Sequence, residues 1–175
     1  MRKLRIFALI ALGIAFALLS TGCYMVKGQK MSNVKGTYEL TSYSRTNGKT
    51  NSVTNYITDG YTAYLIVTGT SEGYYVVNDG ETVPYYRNVT LSYLYNEEDA
   101  SIVEYVIYRL EGSNEEQKLG VTKDNLNFSR PVVKFSDNVY SDGLSMSFKK
   151  VSKKIDFSYV QEKLGTLAEY AFPHD

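Results

Sequence analysis

An all-β fold, an eight-stranded antiparallel up-and-down barrel followed by a C-terminal α-helix, is what this sequence predicts, and three observations predict it. From Thr37 onward short β-rich runs alternate with turn residues. The links between most of these runs are so short that they join only antiparallel neighbours. Seventeen tyrosines lean the same way, because Tyr favours strands and pairs across them.

Strands are expected near residues 37–44, 61–68, 73–78, 83–95, 101–111, 117–121, 125–130 and 143–151. The fourth carries the clearest signal. Val83, Tyr85, Val89, Leu91, Tyr93 and Tyr95 alternate with Pro84, Tyr86, Asn88, Thr90, Ser92 and Asn96, which predicts one buried and one wet face. Leu144, Met146 and Phe148 repeat the pattern in the last strand. The run from Ile102 to Leu110 is apolar on both faces, so it reads as a strand covered on both sides or facing a partner.

The tight links are Asn78-Asp79-Gly80-Glu81, Asn96-Glu97-Glu98-Asp99, Gly112-Ser113-Asn114 and Lys123-Asp124. Two connections are longer, Arg45 to Gly60 and Pro131 to Asp142, and long loops at one end of a barrel shape a binding mouth or lie as surface loops. After the last strand the period becomes helical. Phe157, Val160, Leu164, Leu167, Ala168 and Ala171 form one stripe, with Asp156 or Ser158 as the cap and Ile155 placed to staple Val160.

The N-terminus has its own logic. Arg2, Lys3 and Arg5 precede an uncharged apolar run from Ile6 to Leu19, the layout of an export signal and too short for the ~20 residues of a membrane-spanning helix. The run ends in Leu18-Leu19-Ser20-Thr21-Gly22-Cys23, which resembles the lipobox of bacterial lipoproteins, with Ser20 where that family usually carries Leu. The resemblance implies that residues 1–22 are removed as a signal peptide. It also implies that Cys23 is acylated, with palmitate among its chains, and anchors the protein in membrane lipid outside the cytoplasm. Several acyl chains on one residue hold stably where one chain would not. Residues 23–33 then read as a polar tether, and residues 34–175 as one domain.

Removing the signal takes three basic residues from a chain balanced at 19 basic and 19 acidic, so the mature chain is slightly acidic. That gives no electrostatic case for nucleic acid as a partner. Cys23 is the only cysteine, so neither an intramolecular disulfide nor a thiolate metal cluster is open to this chain.

Eight meandering strands and a terminal helix resemble the lipocalin-like, or calycin, barrels. Gly36-Thr37-Tyr38-Glu39-Leu40 resembles their Gly-x-Trp opening, with Tyr38 in place of the tryptophan that plugs the closed end. The resemblance covers roughly residues 34–171 in pattern and rests on this one motif.

Catalytic chemistry finds little purchase. The only histidine, His174, lies one residue from the C-terminus, so a histidine-based triad or metal cluster is not expected. Ser-x-x-Lys occurs at Ser32 to Lys35 and Ser147 to Lys150, in a linker and within a strand, neither a helix start. The acidic groups Glu97-Glu98-Asp99 and Glu115-Glu116 fall in expected turns, as solvated charge. The chain therefore reads as a non-enzyme that needs no cofactor and no metal.

Candidate ligand-binding residues are Tyr38, Tyr85 and Tyr93, each pairing an apolar ring with a hydroxyl able to orient a bound molecule, together with Glu104 and Arg109, which interrupt an otherwise apolar strand. Two functions follow. One is a lipid-anchored module holding a small apolar or amphipathic ligand in the barrel. The other is an envelope interaction or structural protein with a filled barrel, whose tyrosine-bearing surface meets another protein or a glycan. An eight-stranded barrel fits either, since its interior is filled with side chains or holds one small ligand.

Overall fold

The computed structural model describes residues 28–58, 60–80 and 83–165. The export signal, Cys23, the last part of the helical stripe (Leu167, Ala168, Ala171) and His174 lie outside the described residues.

The order is β1 (Gln29–Lys30), α1 (Met31–Val34), β2 (Gly36–Thr46), β3 (Val53–Asn55), β4 (Thr62–Val67), β5 (Glu72–Asn78), β6 (Tyr85–Tyr95), β7 (Ile102–Leu110), β8 (Glu116–Val121), β9 (Asn125–Arg130), β10 (Val133–Ser136), β11 (Val139–Ser141), β12 (Gly143–Ser152) and α2 (Phe157–Leu164). Eight of these strands close a barrel in the order β2, β4, β5, β6, β7, β8, β9, β12 and back to β2, every pairing antiparallel. Each expected strand is one of these eight. The barrel with its short C-terminal helix is the fold the hydrophobic pattern calls for.

The turns explain the meander. Asn96 accepts the amides of Glu98 and Asp99 on its side-chain oxygen, both at 2.9 Å, and Asn78 accepts that of Gly80 at 2.9 Å. These side chains mimic a backbone turn and return the strand within a few residues. The acidic run 97–99 thus sits exposed in a hairpin turn.

The interior is packed with residues of alternate positions, among them Leu40, Leu65, Val67, Val106, Leu119, Leu126 and Phe148, each no more than 3% exposed. Bulges reset the alternation. Thr41 is extra between the pairs Leu40 with Phe148 and Ser42 with Ser147, so Tyr43 rather than Ser42 follows Leu40 inward. Another falls between Tyr105 and Val103, which pair with Leu94 and Tyr95. It explains why β7 shows no clean period of two. Val103, Val106 and Tyr108 point in, while Tyr105 lies outside under the ammonium of Lys118, 4.0 Å from its ring centre.

The fourth-strand stripe is buried only in its middle. Val89, Leu91 and Tyr93 pack on the core, whereas Val83, Tyr85 and Tyr95 are exposed. β6 overshoots its neighbours: residues 85–88 pair with β5 alone, and the bulge turns the other end.

The closed end is built from the N-terminal segment. Gln29 and Lys30 pair with Val103 and Ile102, and the amide of Gly28 donates to Val121 at 3.2 Å. From Gly28 on, the segment expected to be tether is therefore part of the fold, because Val34 and the partly buried Met31 supply apolar cover for the barrel floor. Lys150 fastens it by donating to the carbonyls of Asn33 and Lys35. Gly36 has φ +143° and lies so close to β12 that a Cβ would stand 2.3 Å from the Ser152 carbonyl oxygen, so only glycine fits there.

Helix α2 packs outside the wall, where Val160, Tyr64 and Val76 form a second small core. Asp156 is its cap, accepting the Tyr159 amide at 2.9 Å, while Ile155 is 46% exposed. Gly165 ends the described helix at φ +76°.

Candidate functional site

The two longest connections of the barrel lie at the end opposite the floor. Both expected long loops are there, and both are structured. In the first, β3 folds back on the end of β2, with Arg45 opposite Thr54, and Asn47 accepts the amides of Lys49 and Thr50. In the second, β10 and β11 form a separate hairpin. Asp142 ties the two together by accepting the Gly48 amide at 2.9 Å and Arg45 Nε at 2.7 Å. These bonds, that to Gly48 first, hold its carboxyl below the usual range.

At this end the barrel holds a cavity of about 240 Å³ that is open to solvent on one side, and four tyrosines line it: Tyr43, Tyr61, Tyr75 and Tyr108. Tyr43 comes inward through the Thr41 bulge, and Tyr61 through the end of the first long loop. Tyr75 and Tyr108 project from β5 and β7 and stack at 5.7 Å with an interplanar angle of 13°. The hydroxyls of Tyr61 and Tyr75 meet at 3.2 Å. Tyr56 backs Tyr43 from the loop, ring centres 4.5 Å apart. Burial is the main cause that raises all four lining phenols above their ordinary value, so they stay neutral and able to donate.

Leu110, Leu144 and Met146 complete the apolar lining. The polar groups are few. Gln117 lies opposite Tyr108 on β8, and its side-chain oxygen is buried without a hydrogen-bond partner. Glu115 is exposed at the rim and Ser113 lies beside it. A buried acceptor left open costs about 1–3 kcal/mol, so this position is one where an incoming donor is rewarded.

The five residues singled out from the sequence do not form one site. Tyr38 sits in the floor, 2% exposed, donating to Val34 at 2.6 Å, and its phenol is raised by burial, then by Asp124 and Tyr93. Tyr93 is nearer the floor than the mouth, half-buried, and donates to the Thr70 carbonyl at 3.0 Å in a turn at that end. Tyr85 stands on the mouth rim, opposite the inward Val77. Glu104 is at the floor end of β7, accepting from Asn96 at 2.6 Å. Arg109 is exposed on the outer wall. There it edges a wider recess of about 720 Å³, open to solvent beside Gly73, where Asn88 donates to Glu111 at 3.2 Å.

Sequence reasoning missed the four mouth tyrosines and Gln117. Tyr75 was legible from its alternation with Gly73 and Val77. Tyr43 was hidden by a bulge, and Gln117 by strand pairing. Among the described residues no group of three or more His, Cys, Asp or Glu gathers to hold a metal, and no helix is long and apolar enough to cross a membrane.

Comparison with known families, with curated proteins and with solved structures finds no match to this chain.

Proposed function

We propose that this chain is a membrane-anchored lipoprotein with a lipocalin-like domain, a non-enzymatic module that binds a small ligand at its tyrosine-lined mouth. The observation that carries the reading is the cavity itself: converging aromatic rings with a buried, unpartnered Gln117 oxygen among them. Apolar walls with a few placed polar groups are the usual make-up of a ligand site.

The packing below the mouth limits the ligand. Phe148, Leu65 and Tyr38 fill the barrel below, and 240 Å³ falls under the ~300–1,000 Å³ of pockets for drug-sized molecules. A long acyl chain has no room there. The ligand is therefore a compact molecule of apolar body and polar tip.

The anchor gives the mouth a direction. Four residues separate Cys23 from Gly28, five steps or at most about 18 Å of chain, and Gly28 belongs to the floor. An acylated Cys23 holds the floor against the membrane, with the mouth opening away from it. The outer wall, with Glu72, Arg87, Thr90 and Lys149 exposed over an apolar interior, supports surface attachment, since barrels that span a bilayer carry their apolar face outside.

The test is ligand-observed NMR on the full chain in neutral detergent with compact aromatic probes. Binding that is lost on Tyr108→Ala, while the fold persists by circular dichroism, supports the reading. A folded chain that takes no probe and releases no small molecule on extraction refutes it. That outcome favours the second reading, an envelope interaction protein, for which the exposed apolar side chains of the mouth hairpin speak: Phe135 is 69% exposed and Val139 52%.

A further inference from the structure

The lining of the mouth carries a chemical preference that the apolar character of the cavity alone does not. We infer that the ligand is a small organic cation, a primary ammonium on a compact apolar or aromatic body. This rests on the ligand-binding reading above and narrows it.

The first support is the sign of what faces the cavity. Among the described residues, Glu115 is its one charged lining residue, and no lysine or arginine lines it. Arg45 lies behind Tyr43, but its guanidinium is held by the Asp142 carboxylate at 2.5 Å, so that cation is already paired. Phenol rings are negative on their faces, and four tyrosines around a small space favour a cation over an anion. The phenols add no charge of their own, because burial keeps them protonated.

The second support is the unfilled acceptor. Gln117 points inward beside Tyr108 with its oxygen buried and unbonded. A carboxylate ligand would set negative charge against that oxygen and against Glu115. A neutral hydrocarbon would leave the oxygen unsatisfied. An ammonium brings N–H donors to it, with its positive charge among the tyrosines and near Glu115, and a hydrogen bond to a charged donor is stronger than a neutral one. The N–H requirement separates a primary ammonium from a quaternary one.

Three probes of nearly equal shape decide the point on the full chain at neutral pH: benzylammonium, benzyl alcohol and benzoate. Benzylammonium should bind about tenfold more tightly than benzyl alcohol, with benzoate weakest. Gln117→Leu, close in volume, should reduce the preference to about threefold or less. Gln117→Glu keeps the side-chain shape, serves if the leucine variant does not fold, and should tighten benzylammonium further. Benzyl alcohol or benzoate binding as tightly as benzylammonium, or an unchanged preference in the folded Gln117 variants, overturns the cation assignment and leaves the pocket standing. A folded chain that binds none of the three overturns both.

Discussion

Tyr38 donates its hydroxyl to the backbone carbonyl of Val34 at 2.6 Å, so the ring that plugs the barrel floor also fastens the segment leading into it. The carbonyl is buried with Val34, and losing its donor leaves it open. Tyr38→Phe should keep the plug and lose the bond. We expect a loss of about 1–2 kcal/mol in denaturant unfolding. Amide exchange should quicken at Gly28 and Lys35, whose N–H groups hold this segment in place. Unchanged exchange at both amides would show that the hydroxyl does not secure the segment.

The interior should govern stability more than the turns. Phe148 and Leu91 are 0% and 2% exposed, and truncating either to Ala should cost about 2–5 kcal/mol. Glu97 and Glu98 are exposed in a turn that Asn96 organises, so replacing either by Ala should change stability by less than about 0.5 kcal/mol. Thermal unfolding of the four variants compares them directly. Equal shifts would contradict the packing described.

Alkaline pH should unfold the protein through its tyrosines. Burial raises the phenols of Tyr75 and Tyr108 above 10.0, and it pushes Tyr93 up to about 12. A folded-state pKa above the unfolded one means that the native state holds the proton more tightly. That stabilisation is complete below pH 10 and is lost as pH rises from there towards the folded values. Stability should therefore fall steeply above about pH 10, and part of the phenolate absorbance should appear only as the fold is lost. One transition near 10 for every tyrosine, with the fold intact, would rule this out.

The anchor is tested at Cys23. Cys23→Ser should leave an unprocessed, unacylated precursor, because the serine hydroxyl does not replace the thiol as acyl acceptor in this pathway. Intact-mass analysis distinguishes the forms. A variant with normal cleavage and the parent's lipid mass would exclude the lipoprotein reading.

Much of the fold was legible because it rests on local rules. The tight links at Asn78, Asn96, Gly112 and Lys123 leave a strand no option but to return beside its neighbour, and a period of two marks which face is dry. Helix α2 announced itself by its stripe and its Asp156 cap. The candidate site was much less legible. The five residues chosen were conspicuous in the chain, yet barrel closure distributes them over floor, rim and outer wall.

The sequence by itself determined the eight barrel strands, their antiparallel order and the terminal helix, since each follows from neighbours within a few residues. Only the tertiary structure decided which tyrosines share a cavity. Alternation is counted along one strand, while the mouth is assembled across five strands and two loops, with a bulge at Thr41 turning Tyr43 inward and pairing between β7 and β8 setting Gln117 beside Tyr108. Bulge and register are settled by the packing of the closed barrel, because one residue of slip would exchange its inner and outer faces.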